Sequence, residues 1–207
     1  PRGAAHEGMT GLVHGLAQGR ADAVKMNSAG PIGSRVRPRL FLIACAVAVG
    51  AVLIDQGTKA LALAQLSEQA RIPLLGDWLG LQLAFNPGTV MSLGSGSTWL
   101  LTIIAAAASV ALLIAATRAR TAGWAVAIGL LWGGAVGNLL DRLLAPPGFG
   151  RGHVTDFLAY GNLFIGNLAD VILGVGVALG ILLYVSQSKG RRSSHQPDEH
   201  RSTPKDI

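Results

Sequence analysis

The sequence predicts an all-α membrane protein with four transmembrane helices and a small extracytoplasmic β-sheet between helices 1 and 2. Half of the residues are hydrophobic and only 14% are charged. The charged residues lie in the tails and connections, whereas a soluble helical protein, the alternative, would carry them on amphipathic helix faces. Four runs free of Asp, Glu, Lys and Arg extend through weakly polar flanks to about 20 residues, the length that crosses hydrocarbon. These runs are residues 40–54, 99–117, 124–140 and 171–185.

The orientation follows from the basic residues beside the runs. The positive-inside rule places such residues in the cytoplasm, so both termini are expected there and the connections at about 64–98 and 143–167 on the outer side. The net charge of +6 therefore indicates topology and predicts no nucleic-acid partner. The residues concerned are Arg35, Arg37 and Arg39 before the first run, Arg118 and Arg120 between the second and third, and Lys189, Arg191 and Arg192 after the fourth.

The first run is expected to remain as a membrane anchor, because polar residues follow it where a signal-peptide cleavage site would lie. Its Cys45 is the only cysteine, so no intramolecular disulfide is possible. The preceding residues resemble a lipobox, but the apolar segment before Cys45 is too short for a secretory signal. The sequence thus predicts a membrane domain at 39–187, between a disordered cytoplasmic extension at 1–38, where Met26 is a possible start, and a disordered cytoplasmic tail at 188–207.

A strand is predicted in the first outer connection. Leu79, Leu81, Leu83 and Phe85 alternate with smaller or polar residues, the period of a half-buried strand, and a turn at Asn86-Pro87-Gly88 follows. A small sheet there would lie on lipid or hold an extended peptide by strand pairing, whereas a structured linker is the alternative.

Ionisable and amide side chains gather where the predicted helices meet the outer side, and such groups at membrane depth indicate function. They are Asp55, Lys59, Asn138, Asp141, Arg142, Asp156, Asn167 and Asp170. Asp55 with Lys59, and Asp141 with Arg142, have counter-ions nearby in sequence, which favours a structural role. Asn167 and Asp170 also suit the first turn of a helix.

Asp156 and Asp170 are the carboxylates that local pairing explains least. Two carboxyl groups held close together cannot both ionise easily, so one acts as acid while the other activates water, as in aspartic proteases. A proton relay would use the same chemistry and is the alternative.

Five short motifs in order carry a resemblance to lipoprotein signal peptidase, also called signal peptidase II, from about residue 40 to 185. The motifs are Asp55-Gln56-Gly57-Thr58-Lys59, Asn86-Pro87-Gly88, Gly137-Asn138-Leu139-Leu140-Asp141-Arg142, Val154-Thr155-Asp156-Phe157 and Asn167-Leu168-Ala169-Asp170. Before the last motif, Gly166 stands where the family usually has Phe.

The resemblance implies an aspartic endopeptidase of the bacterial cytoplasmic membrane that needs no metal or organic cofactor. It would cut prolipoproteins before the diacylglyceryl-modified cysteine, with membrane lipid around it, and a monomer is expected. The family's catalytic pair matches Asp156 and Asp170. Residues expected to shape and support the site are Asp55, Lys59, Asn86, Gly88, Asn138, Asp141, Arg142 and Asn167.

Other classes fit less well. No histidine lies inside a predicted span, which disfavours an intramembrane serine protease, and the zinc-protease motif H-E-x-x-H is absent. A serine–lysine peptidase would have to combine Lys59 with Ser92 or Ser95. A small transporter or scaffold is the strongest non-enzymatic alternative, although no internal repeat supports it.

Overall fold

A computed structural model describes residues 36–88 and 98–193. Four helices in this part of the chain are long and apolar enough to cross a membrane, and together with a small antiparallel sheet they confirm the predicted fold class. The helices are α1 (Pro38–Gln65), α2 (Thr98–Thr117), α3 (Ala122–Leu144) and α4 (Leu168–Ser193). The strands are β1 (Ile72–Leu75), β2 (Leu79–Asn86), β3 (Val154–Tyr160) and β4 (Phe164–Gly166).

The predicted terminal segments fall mostly outside the described residues. Residues 1–35 and 194–207 belong to the extension and tail that the sequence analysis expected to be disordered, and their structure is not described. Helix α4 continues to Ser193, beyond the boundary that the sequence suggested at residue 187.

Helix α3 is the centre of the bundle and packs against the other three helices. Its glycines make this possible, because small residues let helix backbones approach closely where lipid supplies no hydrophobic driving force. A Cβ at Gly133 would lie 2.5 Å from the Ala51 Cβ on α1, and one at Gly134 would lie 2.9 Å from the Ala169 carbonyl oxygen on α4. The bundle therefore brings the outer ends of α1, α3 and α4 together.

The sheet is larger than the sequence predicted. The strand predicted within the first outer connection is confirmed as β2, and β1 precedes it. Two further strands, β3 and β4, come from the second outer connection, and the strand order is β1-β2-β3-β4. Pairing of β2 with β3 sets Ala84 opposite Asp156 and Asn86 opposite Val154. The sheet thus joins both outer connections at a point near the helix ends.

The two ends of the sheet differ in character. At one end, Ala62 of α1 packs with Leu83 and Phe157, which fixes the sheet on the bundle. At the other end, Trp78 and Leu163 are 87% and 86% exposed. The Gly161 backbone N–H donates to the Trp78 carbonyl at 2.8 Å, so these two apolar side chains belong to adjacent turns.

Candidate active site

Asp156 lies on β3 and is almost fully enclosed, with 2% of its surface exposed. Its Oδ1 accepts a hydrogen bond from Asn167 Nδ2 at 2.6 Å, and its Oδ2 accepts one from Asn86 Nδ2 at 3.1 Å. Burial raises the pKa of Asp156 to about 6, in spite of the two amide hydrogen bonds, which lower it. The charge of Asp170 raises this pKa further, whereas that of Lys59 lowers it. This carboxyl group therefore retains a proton more readily than an exposed aspartate.

Asp170 lies in the first turn of α4, where it forms a reciprocal cap with Asn167. The Asp170 backbone N–H donates to Asn167 Oδ1 at 3.1 Å, and the Asn167 backbone N–H donates to Asp170 Oδ2 at 3.2 Å. Such a capping box satisfies two N–H groups that a helix start leaves free. In contrast to Asp156, Asp170 has an exposed side chain. A Cβ at Gly166 would lie 3.0 Å from Asp170 Oδ2, so the glycine leaves room beside this carboxylate.

Asn167 joins the two carboxyl groups. Its side-chain amide nitrogen binds Asp156, while its side-chain oxygen and backbone N–H bind Asp170. The asparagine itself is 1% exposed; its contact with Asp156 is buried, whereas its contacts with Asp170 are partly buried. The structure thus brings together the two residues that the sequence singled out as a pair.

Lys59 is the centre of a second polar cluster, one layer beneath the first. Its Nζ lies 2.9 Å from Asp55 Oδ2, 2.9 Å from Asp141 Oδ2 and 3.0 Å from Asn138 Oδ1. Three acceptors engage all the N–H groups of an ammonium. The Lys59 ammonium is therefore fully occupied by these acceptors, and Ser92 and Ser95, the serines considered as its partners, lie outside the described residues.

The predicted pairing of Asp141 with Arg142 is wrong, because Asp141 forms its ion pair with Lys59 instead. Neighbouring residues on a helix do not face each other, so adjacency in sequence does not produce a contact. Arg142 extends elsewhere, and its buried Nη1 has no hydrogen-bond partner among residues 36–88 and 98–193.

The two carboxylates on Lys59 each hold the backbone next to one of the paired aspartates. Asp141 Oδ2 accepts the backbone N–H of Thr155 at 3.0 Å, directly before Asp156. Asp55 Oδ1 accepts the backbone N–H of Ala169 at 3.0 Å, directly before Asp170. A single buried cation on α1 therefore positions both β3 and the start of α4.

Asn138 connects the two layers of the site. It accepts from Lys59 and donates through Nδ2 to Asp170 Oδ1 at 3.0 Å. Asn138 was predicted among the residues that support the site, and its side-chain amide contacts Asp170 directly.

Asn86 and Gly88 form the turn that leads away from β2. The Gly88 backbone N–H donates to Asn86 Oδ1 at 2.8 Å, which frees Asn86 Nδ2 for Asp156. Gly88 has φ of +98°, and a Cβ there would collide with Leu101 Cδ1 and lie 3.5 Å from Arg142 Nη1. Glycine is the residue that tolerates this backbone and this crowding.

Two supporting residues were missed by sequence reasoning. Gln56 Nε2 lies 3.1 Å from each of three acceptors, Asp55 Oδ2, Asp141 Oδ1 and the Gly137 carbonyl oxygen. Gly137 lies against Asp55, since a Cβ on it would come within 2.5 Å of Asp55 Oδ2. Both residues lie inside the quoted motifs, so their place in those motifs was the available signal.

Replacing Gly137 by Ala should destabilise the protein by about 1–3 kcal/mol, because the added methyl group overlaps a buried carboxylate that has no room to move. Gly174 on α4 is the matched control, since a Cβ there meets nothing within 4 Å and Ala is the better helix former. Thermal unfolding in detergent measures both variants. Equal stability of Gly137→Ala and Gly174→Ala would contradict the close contact.

No group of three or more His, Cys, Asp or Glu side chains that might hold a metal ion occurs in residues 36–88 and 98–193. The polar groups of the site are instead occupied by one another. What the arrangement offers chemically is a buried aspartate beside an exposed one, with amide donors on both.

Known proteins resemble this chain over most of its length. A family model described as signal peptidase (SPase) II matches residues 47–186. The lipoprotein signal peptidase of Bifidobacterium longum (strain DJO10A) is 43% identical over 154 residues, covering 74% of this chain and 84% of that protein. The lipoprotein signal peptidase of Leifsonia xyli subsp. xyli (strain CTCB07) is 42% identical over 156 residues, covering 75% and 72%.

A solved structure described as a bacterial membrane enzyme, determined by the in meso method at 2.3 Å resolution, has a similar fold. It aligns with a TM-score of 0.60 and 26% identity, and the alignment covers 78% of this chain and 94% of that one. The family match includes every residue of the two polar layers described above. The chain therefore belongs to the signal peptidase II family and is a multi-pass membrane peptidase.

Proposed function

We propose that this protein removes signal peptides from bacterial prolipoproteins by hydrolysing the peptide bond before the diacylglyceryl-modified cysteine, with Asp156 and Asp170 as the catalytic pair. The observation that carries the proposal is that Asn167 hydrogen-bonds both carboxyl groups at once. An aspartic mechanism needs two carboxyl groups that share one water and one proton. Family membership supports the substrate class, and the geometry of Asn167 supports the pair.

In the proposed reactive form, Asp156 is the carboxyl group that donates a proton and Asp170 is the one that accepts it. Burial raises the pKa of Asp156 to about 6, which favours its protonated form. Asp170 is exposed and accepts hydrogen bonds from Asn138 Nδ2 and the Asn167 backbone N–H, so it is accessible to water and held in one position. The two environments divide the roles of acid and base between the residues.

The reaction then proceeds by addition of water without a covalent enzyme intermediate. Asp170 takes a proton from the bound water as its oxygen adds to the scissile carbonyl carbon, and Asp156 gives its proton to the developing oxyanion. The resulting tetrahedral diol breaks down when the proton on Asp170 passes to the departing amine nitrogen. The C–N bond breaks, Asp156 recovers its proton from the diol, and the products are a carboxyl terminus and a free amine.

Arg142, Asn86 and Gly88 are proposed to hold the substrate peptide. Arg142 Nη1 is buried and lacks a hydrogen-bond partner among the described residues, although an unpaired buried donor is costly. It lies near Gly88, at the turn that starts from the catalytic end of β2. A substrate backbone carbonyl laid beside this turn would give Nη1 an acceptor.

The exposed apolar turns of the sheet are proposed to rest in the membrane interface, on the extracytoplasmic side, with both termini in the cytoplasm. Trp78 and Leu163 are almost fully exposed, and Trp is typical of the interface. Strand β2 has eight residues, so this apolar end lies about 25 Å from Asn86. A single chain supplies both aspartates of the proposed pair. The active form is therefore proposed to be a monomer of the domain at 39–187.

Cleavage of a lipidated substrate tests the proposed function. Purified full-length protein should cut a prolipoprotein peptide whose cysteine carries diacylglycerol and release a product that begins with that cysteine, as mass spectrometry would show. The same peptide without the lipid should have kcat/KM lower by roughly 100-fold or more, because acyl chains concentrate the substrate in the bilayer. Equal cleavage of both peptides would contradict the proposal.

The pH dependence follows from the raised pKa of Asp156. Below about pH 6 the buried carboxyl holds its proton, and above it the proton is lost, so kcat/KM should fall as pH rises through about 6. Asn86 lowers this pKa through its hydrogen bond, so Asn86→Ala should move the falling limb to higher pH. A limb that stays in place in Asn86→Ala would assign the titration to another group.

A further inference from the structure

A cleft lies at the opposite end of the bundle from Asp156 and Asp170. A cleft of about 580 Å³ opens where the link between α2 and α3 meets α4. It is separated from Asp141 by almost the whole of α3, or about 30 Å. The side chains that line it include Arg118, Arg120, Thr121, Trp124, Ile128 and Gln187.

The charge around this cleft is entirely positive among the described residues. Arg118 and Arg120 are exposed, and neither forms an ion pair within residues 36–88 and 98–193. Arg37 Nη1 donates to the Arg120 carbonyl oxygen at 2.9 Å, which brings a third guanidinium group to the same place. Every Asp and Glu in the described ranges lies at the other end of the bundle or in the outer connections.

The remaining walls of the cleft are apolar or uncharged. Trp124 and Ile128 line it from α3, and Trp124 packs beside Gly180 of α4, where a Cβ would lie 3.8 Å from the indole ring. Tryptophan favours the depth at which headgroups meet acyl chains. A cleft lined by two arginines and an aromatic wall matches the two-part chemistry of a phospholipid, with its charged headgroup and its apolar chains.

We propose that this cleft binds the headgroup of an anionic phospholipid, with the phosphate on Arg118 and Arg120 and the start of an acyl chain against Trp124 and Ile128. Guanidinium groups bind phosphate oxygens in bidentate fashion, and basic pockets between transmembrane helices bind acidic headgroups. Free phosphate shares the charge but would leave the apolar wall unused. The cleft therefore takes a lipid from the membrane.

The test compares lipid retention by variants of the full-length protein. The protein is reconstituted in nanodiscs of phosphatidylcholine and phosphatidylglycerol in equal parts, and native mass spectrometry counts the lipids that stay bound on release. The wild type should retain phosphatidylglycerol selectively. The double variant Arg118→Gln/Arg120→Gln should lower the affinity for phosphatidylglycerol roughly 30-fold, from the loss of two basic groups.

Two further variants separate a built site from general positive charge. Arg39→Gln/Lys189→Gln removes the same charge at the same end of the bundle from residues that do not line the cleft, and it should retain the lipid. Gln187→Trp changes no charge but fills the cleft, and it should lose the lipid. Cleavage of a lipidated peptide by each variant verifies that the protein is folded.

Three results would overturn the proposal. Equal losses in the two double variants would show that the charge acts diffusely. Retention of phosphatidylcholine as strongly as phosphatidylglycerol would remove the headgroup selectivity. Displacement of phosphatidylglycerol by an equal concentration of inorganic phosphate would identify an anion site without a lipid.

Discussion

Replacing Asp156 or Asp170 by Asn is expected to abolish cleavage of a lipidated prolipoprotein, with kcat/KM lower by at least about 1,000-fold. In the proposed mechanism each change removes a group that gives or takes a proton in the transition state, and positioned acids and bases contribute about 100- to 10,000-fold each. The double variant should be little less active than either single variant, because one remaining aspartate cannot activate the water without the other. Initial rates with purified protein in detergent measure the effect.

Asparagine is the informative substitution because it retains the shape of the site. Asn at position 170 can still accept the Asn167 backbone N–H through its single oxygen, so the helix cap survives while the hydrogen bond from Asn138 Nδ2 is lost. Asp77→Asn is the matched control, since Asp77 is an exposed aspartate of the first outer connection, outside the two polar layers. If either catalytic-pair variant cleaved at more than about a tenth of the wild-type rate while folded, the assignment of the pair would be wrong.

The second large effect is expected at Lys59. Lys59→Met should destabilise the protein by about 3–5 kcal/mol, because removing one partner of a buried ion pair leaves the other charges uncompensated. Lys59 is 2% exposed and Asp55 is 0% exposed, so water cannot replace the lost cation. Unfolding can be followed through Cys45 on α1, the chain's only thiol, with a thiol-reactive dye.

Restoring neutrality provides the control for this prediction. Adding Asp55→Asn and Asp141→Asn to Lys59→Met removes the unpaired charges, so part of the stability should return. Lys189→Met, at an exposed position on α4, should change stability by less than about 0.5 kcal/mol. A cost below about 1 kcal/mol for Lys59→Met would mean that the cation does not hold the two carboxylates.

The transmembrane helices and β2 were predictable because their signals are local. An uncharged run of membrane length and a period-2 alternation can each be read without knowing what packs nearby. Strand β3 was missed because it is buried along nearly its whole length, so its sequence shows no alternation between faces. Strand β4 has three residues and is too short to carry any period.

The site was predictable in its members but not in its contacts. Asp156 and Asp170 could be selected because neither has a counter-ion nearby in sequence. The partner of Asp141 could not be predicted from the sequence. Lys59 reaches Asp141 from a different helix, and the cation nearer in sequence, Arg142, extends elsewhere. The sequence also could not show that Asp170 is both a helix cap and the proposed base, because either role alone would explain an aspartate at this position.

The hydrogen bond from Ala169 to Asp55 joins the first helix to the last across 114 residues of chain. The protein is synthesised from the first helix onward, so Asp55 and Lys59 are in place before their partner at the start of α4 has been made. A partly synthesised copy carries Asp156 without Asp170. If Asp156 and Asp170 act together as proposed, hydrolysis therefore requires the start of the final helix to be in place beside β3.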